Sequence, residues 1–213
     1  MKRAFLLVAA ALLTAAATSK PPRSPLDPVL DALEQVRTFR GAAISPDGKR
    51  VAWVERIRAR DGTENLSAID AAELAAPTTS RRITAGADGR AHRERDPAWS
   101  PDGRTIAFLS DAAKDGQLQL YVAPAAGGAA RRLTTVAGQL SHPKWSPNGR
   151  SIAFLFVSGS TQETGALVAY RPDAGVVEET IDEQRIAVVE VASGRMREVS
   201  PPNLYVYDYD WSP

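Results

Sequence analysis

Six carboxylates lie between residues 158 and 184, where Glu163, Asp173, Glu178, Glu179, Asp182 and Glu183 gather against the single Arg171. Carboxylates this concentrated either hold a cation, offsetting the hydration it loses, or solvate an exposed loop. Ser160, in Ser158-Gly159-Ser160-Thr161, comes nearest to a nucleophile elbow, but Gln162 stands two residues on and no strand-turn-helix pattern surrounds it. No G-x-S-x-G occurs anywhere in the sequence. His92 and His142 each precede a predicted first strand without H-x-x-x-H or H-E-x-x-H spacing, and there is no cysteine, so no metal ligand set forms. They read as polar residues in connections between repeats, and His142, before Pro143, could bond a backbone carbonyl. The Asp-Gly pairs 61-62, 88-89 and 115-116 lack the alternating acids of a calcium loop and read as turns. These residues supply no catalytic set and imply no cofactor.

What would position any site is a repeat. Ala43-Ile44-Ser45-Pro46-Asp47-Gly48 returns as Ala98-Trp99-Ser100-Pro101-Asp102-Gly103, as Lys144-Trp145-Ser146-Pro147-Asn148-Gly149, and as Asp210-Trp211-Ser212-Pro213. From serine to serine the steps are 55, 46 and 66 residues, near the period of a four-stranded propeller blade with insertions. In each copy Pro suits φ near its fixed value, Asp bonds the local backbone, and Gly accepts positive φ, which together make a hairpin turn. Apolar and β-branched runs follow at 51–54, 105–109 and 151–156. Leu118 to Val122 reads as a third strand, Ala126-Gly127-Gly128 as a turn and Arg131 to Thr134 as a fourth. Arg81 to Thr84 repeats that fourth strand one unit earlier. In the third unit the corresponding parts are Arg185 to Val191, Ser193-Gly194 and Arg197 to Ser200. The aromatic residues Trp53, Trp99, Trp145, Phe108, Phe154 and Tyr121 read as core between blades, and the arginine pairs 81-82 and 131-132 as charge protecting outer strands.

The fold class is therefore all-β, a partial β-propeller of four-stranded WSPDG-type, WD40-like blades, preceded by a signal peptide and a short helix. Lys2 and Arg3 ahead of the apolar run from Ala4 to Ala17 make residues 1–19 a secretory signal peptide, too short to span a bilayer. The protein is expected to be secreted or periplasmic. Residues 20–40 are linker and helix, with Val29, Leu30, Leu33 and Val36 at helical spacing behind Asp27 as cap. Residues 41–213 form an incomplete propeller, with blades at about 41–90, 91–138 and 139–201 and the start of a fourth at 205–213. A net charge of +1 with scattered basic residues gives no case for nucleic acid, and no apolar stretch after the signal could cross a membrane.

The Trp-Ser-Pro-Asp/Asn-Gly turns, the Arg-Arg-Leu-Thr strand ends, the helix leading into Phe39 to Trp53 and the tract Tyr205 to Pro213 resemble the N-terminal propeller of the prolyl oligopeptidase family of serine peptidases. The likeness covers Asp27 to Pro213, in the manner of the dipeptidyl-peptidase and acylaminoacyl-peptidase branches. TolB-like periplasmic propellers carry the same turn but place an α/β domain ahead of it, whereas about twenty mature residues precede the first blade here. The resemblance implies that the propeller gates short peptides to an α/β-hydrolase domain that this chain lacks, with peptide substrates as partners. It further implies that Glu178 and Glu179 could receive a substrate's free α-amine, as a glutamate pair does in the dipeptidyl-peptidase branch. The alternative is a TolB-like scaffold that binds proteins.

Overall fold

A computed structural model of the chain describes residues 24, 26–34, 36–58, 65–76, 78–87, 90–159 and 183–212. The predicted signal peptide, Ser160 and the pair Glu178 and Glu179 lie outside the described residues. Two units are distinguished, residues 1–36 and 37–213.

The first unit holds α1 (Asp27–Glu34). The sequence suggests Asp27 as its cap, but Asp27 is the first helical residue. Its carboxylate accepts the Ser24 amide at 2.9 Å while the Ser24 hydroxyl accepts the Leu26 amide at 3.3 Å. This is a reciprocal pairing of the capping-box kind.

The second unit is built of three antiparallel four-stranded sheets. Blade 1 comprises β1 (Phe39–Ile44), β2 (Arg50–Arg58), β3 (Asn65–Glu73) and β4 (Arg81–Ile83). Blade 2 comprises β5 (Glu94–Trp99), β6 (Thr105–Ser110), β7 (Gln119–Pro124) and β8 (Arg131–Arg132). Blade 3 comprises β9 (Gly138–Trp145), β10 (Ser151–Ser158), β11 (Gln184–Glu190) and β12 (Met196–Glu198). The strands of each sheet follow chain order, so the expected propeller blades are present and their ring is not closed.

The turn that links the first two strands is the same in every blade. The hydroxyls of Ser45, Ser100 and Ser146 donate to Asp47, Asp102 and Asn148 at 2.5, 2.6 and 2.8 Å. The same hydroxyls accept the amides of Arg50, Thr105 and Ser151 at 2.9, 2.9 and 3.0 Å. Gly48, Gly103 and Gly149 sit at φ of 68°, 66° and 67°, where a side chain would be strained. The serine hydroxyl bonds, followed by the amides of Lys49 and Arg104, hold the Asp47 and Asp102 carboxyls below their ordinary range. The repeated chemistry of the turn is thus spent on closing a hairpin.

Strand periodicity then gives each blade two apolar faces. Ala52, Val54, Ile69, Ala71 and Ile83 of blade 1 pack against Trp99, Ile106, Phe108, Tyr121 and Ala123 of blade 2. The other face of blade 2, with Ala107, Leu109, Leu120 and Val122, packs on Ile152, Phe154, Phe156, Ala187 and Val189 of blade 3. Burial on this scale contributes about 1.5–3 kcal/mol for a side chain such as Phe108, which is fully inaccessible. Trp53 departs from the expected inter-blade core. It aligns with Phe108 and Phe154, pairs across the sheet with Asp70, and lies half-buried on the face of blade 1 turned away from blade 2.

Directional bonds fix how neighbouring blades are stacked. The indole N–H of Trp99 donates to the Ala43 carbonyl at 3.0 Å, that of Trp145 to Ala98 at 3.0 Å, and that of Trp211 to Lys144 at 3.1 Å. Each acceptor is the residue just before the equivalent position of the preceding repeat. The Arg50 guanidinium also lies over the Trp99 ring, 4.9 Å from its centroid. Ile44 holds the tryptophan position in blade 1 and is 66% exposed. Replacing Trp99 by Phe keeps most of the apolar contact and removes the donor, so the urea midpoint should fall by the equivalent of about 1–2 kcal/mol with an unchanged slope.

Candidate functional site

Since the turns are structural, chemistry must come from positions where the repeats differ. The first strands β1, β5 and β9 form one edge of their sheets and lie beside one another. Each is interrupted by a bulge, between Arg40 and Ala42, between Arg95 and Ala98, and opposite the step from Ala153 to Leu155. The bulged residues Gly41, Asp96 and His142 have φ of 69°, 55° and 54° and stand four residues before their turn serines. Bulges re-aim side chains, so this position sets what the inner edge presents. Asp208 stands the same four residues before Ser212.

These residues form a polar row. Asp96 accepts the His142 amide at 3.4 Å and lies 3.9 Å from Arg95 Nε. Lys144 Nζ lies 3.4 Å from Asp208 and 3.9 Å from Asp210, and it donates to the Tyr209 carbonyl. The Tyr209 amide, and then Lys144, hold the Asp208 carboxyl below its ordinary range. The Tyr209 hydroxyl donates to the Ala153 carbonyl at 2.8 Å and contacts the His142 carbonyl, and burial pushes its pKa well up. Tyr209 is therefore a structural pin on blade 3, with the exposed charges of Asp208 and Asp210 around it.

His142 thus lies within the first strand of blade 3 rather than in the connection before it. The sequence places His92 in a connection too, and it does precede β5, but its side chain is 6% exposed with Nδ1 3.9 Å from Asp111. Asp111 also accepts the Arg93 amide at 2.8 Å and the Gly116 amide at 3.1 Å. Beside this group Glu94, 1% exposed, accepts Thr84 Oγ1 and the Ala85 amide, both at 2.7 Å. The next junction is built alike with a neutral group: Gln119 accepts Thr134 Oγ1 at 2.8 Å and the Val136 amide at 3.1 Å. Among the described residues no cluster of three or more His, Asp or Glu side chains could hold a metal ion.

The arginine pairs act between strands and blades. Arg82 lies 3.2 Å from Asp70, and Arg131 donates to the Val191 carbonyl of blade 3 at 2.7 Å. The Asp115-Gly116 pair is a turn, with Gly116 at φ 78°. The pairs 61-62 and 88-89 lie outside the described residues. Between blades 2 and 3, at the turn end, a groove of about 720 Å³ is lined by Pro101, Asp102, Arg131, Trp145 and Pro147 among others. The inner edge and the grooves thus carry charged groups held by the blade framework.

Known proteins agree with this architecture. The family described as TolB beta propeller domain, PD40, matches residues 31–189. The uncharacterized peptidase YuxL of Bacillus subtilis is 54% identical over 44 residues, which are 21% of this chain and 6% of that protein. A structure assigned to TolB from Agrobacterium tumefaciens superposes with a TM-score of 0.50 at 22% identity, over 76% of this chain and 48% of the other. The acylaminoacyl peptidase of Pyrococcus horikoshii gives a TM-score of 0.55 at 13% identity, over 80% of this chain and 26% of the other. At these identities the two structures share the fold, and the chain spans less than half the length of each protein compared.

The buried Glu94 yields a test of this junction. Burial raises its carboxyl pKa. A carboxyl raised on folding favours the folded state below its unfolded pKa and loses that advantage as pH rises through the folded value. Glu94→Gln keeps both accepted bonds, so its Tm relative to the unsubstituted protein should climb as pH rises above the ordinary carboxylate range. A difference that stays flat would mean that Glu94 is not an ionising buried group.

Proposed function

This chain belongs to the TolB beta propeller domain family, PD40, and from that premise we propose that it is the propeller of an exported serine peptidase, gating short peptides to an α/β-hydrolase domain of a longer protein. The observation that carries this reading is the segment 54% identical to a peptidase. The shared fold with an acylaminoacyl peptidase supports it, as does an inner edge that offers charged recognition groups without a catalytic set. In this reading the chain binds and sorts while the hydrolase domain cuts. The apolar run behind Lys2 and Arg3 supports export.

Glu178 and Glu179 are proposed as the acceptors of the substrate's free α-amine. A buried ammonium needs fixed carboxylates, so replacing both with Gln in the parent enzyme should raise KM for free-amine dipeptidyl substrates about tenfold or more and leave blocked substrates unaffected. Equal effects on both substrate classes would remove the pair from substrate recognition.

The second reading, a TolB-like protein-binding scaffold in the periplasm, is favoured by the description of the matching family itself. One experiment separates the two. The parent open reading frame and residues 20–213 are assayed against proline- and alanine-containing dipeptidyl, acyl-aminoacyl and blocked peptides, with a fluorophosphonate probe for an active serine. The gated peptidase predicts that the parent cleaves one class and is labelled while the 20–213 fragment does neither. Loss of both signals in the parent, with capture of envelope proteins, would establish the scaffold instead.

A further inference from the structure

The junction between blades 1 and 2 carries its own cation on an indole. The Arg50 guanidinium lies over the Trp99 ring, 4.9 Å from its centroid, with Nη2 3.8 Å from Asp47 Oδ2. The turn leaves that oxygen available, because the Ser45 hydroxyl and the Lys49 amide both donate to Asp47 Oδ1. Under this cover Trp99 is 8% exposed.

The junction between blades 2 and 3 repeats this arrangement without the cation. The position that aligns with Arg50, five residues beyond the turn serine, is Thr105. Asp102 again takes both turn bonds on Oδ1, from the Ser100 hydroxyl and the Arg104 amide, and among the described residues no ion pair reaches its Oδ2. Arg104 adds its charge near Asp102 as Lys49 does near Asp47. Trp145 is half-buried and lines the groove of about 720 Å³ together with Asp102, Thr105, Pro101 and Pro147. The turn glycines register the difference: a Cβ at Gly103 would meet Arg50 Nη2 at 2.8 Å, whereas one at Gly149 would meet only Pro101 Cδ, at 3.8 Å. Arg131 also lines the groove and is directed to the Val191 carbonyl of blade 3. Its counterpart Arg81 reaches from blade 1 to Gly127 of blade 2 while Arg50 covers Trp99, so an arginine at that position is compatible with a second cation. At the junction with Trp211 the carboxylate is lost as well, since Asn148 and Ser151 stand at the two positions.

We propose that the groove between blades 2 and 3 receives an arginine side chain of a partner polypeptide, stacked on Trp145 and paired with Asp102 Oδ2 as Arg50 is with Trp99 and Asp47. A guanidinium suits this seat better than an ammonium, because its plane stacks on an aromatic face while its edge donates to a carboxylate. Pro101 and Pro147 offer apolar surface to the side-chain stem. The inference does not rest on the gated-peptidase reading: the site takes its chemistry from the repeat and serves a peptidase or a scaffold equally.

The test follows the indole N–H signal of Trp145 in the nitrogen-15 NMR spectrum of the full chain, identified by its loss in Trp145→Phe. The probes are N-acetyl-Gly-Arg-Gly-amide and the same peptide with lysine or with citrulline, the neutral isostere of arginine. The arginine peptide should shift the signal saturably, with the lysine peptide several-fold weaker and the citrulline peptide at least about tenfold weaker. Two variants keep the turn intact. Asp102→Asn retains the side-chain bonds that Asn148 makes in the third repeat and should lower affinity several-fold at unchanged Tm. Thr105→Arg places an arginine on the backbone that Arg50 uses, where the turn serine hydroxyl accepts the amide at 2.9 Å in both blades. It should raise Tm, move the Trp145 signal with no peptide present and abolish the response to the arginine peptide. Equal responses to arginine and citrulline, a stronger response to lysine than to arginine, no response to any probe, or an undiminished response in folded Thr105→Arg would overturn the proposal. A signal that moves on dilution of the protein alone would assign the groove to a second copy instead.

Discussion

The indole N–H that reaches from each repeat to the backbone of the repeat before it is the contact on which the architecture depends. A four-stranded sheet with two apolar faces cannot be stable alone, and apolar packing does not by itself fix the angle or register at which sheets stack. The bonds from Trp99 to Ala43, Trp145 to Ala98 and Trp211 to Lys144 supply that direction, because a donor near 3 Å from a particular carbonyl tolerates little sliding. The hairpin turns next to Trp99 and Trp145 are closed by their own side-chain bonds, so these indoles are presented from a stiff base. Packing of Phe108 and Tyr121 into one interface and of Phe154 and Phe156 into the next then completes the arc.

Much of this was legible because it is local and repeated. The Ser-Pro-Asp-Gly turn carries its own chemistry within six residues, and the strands behind it alternate as buried strands do. The indole bonds were not legible: tryptophan spacing announces apolar core, while the acceptor is a backbone carbonyl of a sequence neighbour 47 to 67 positions away. Trp53 shows the limit of reading by residue type, since it lies on the face equivalent to that of Phe108, and among the described residues no blade packs on that face of blade 1.

The polar groups of the first-strand edge were still less visible. Nothing in the string marks Asp96 and His142 as adopting positive φ, a conformation that glycine at position 41 would announce but these two do not. Comparing the residue four places before each turn serine, once the repeats are aligned, is the signal that could have found them. Glu94 and Gln119 look like surface residues in sequence and are buried because each satisfies backbone at a blade junction. Glu178 and Glu179 were singled out through family likeness rather than geometry.

The indole bonds also have a sense of time. In every one the donor lies on the later repeat and the acceptor on the earlier, so a repeat emerging from the ribosome or from an export channel can fasten only onto structure already made. Ile44 leaves the first repeat without an indole to place, and it can form its hairpin without waiting for a neighbour. Assembly then runs in the direction of synthesis, with the newest sheet always the one not yet fastened from behind. A chaperone that acts on such a chain would find its target at the growing end.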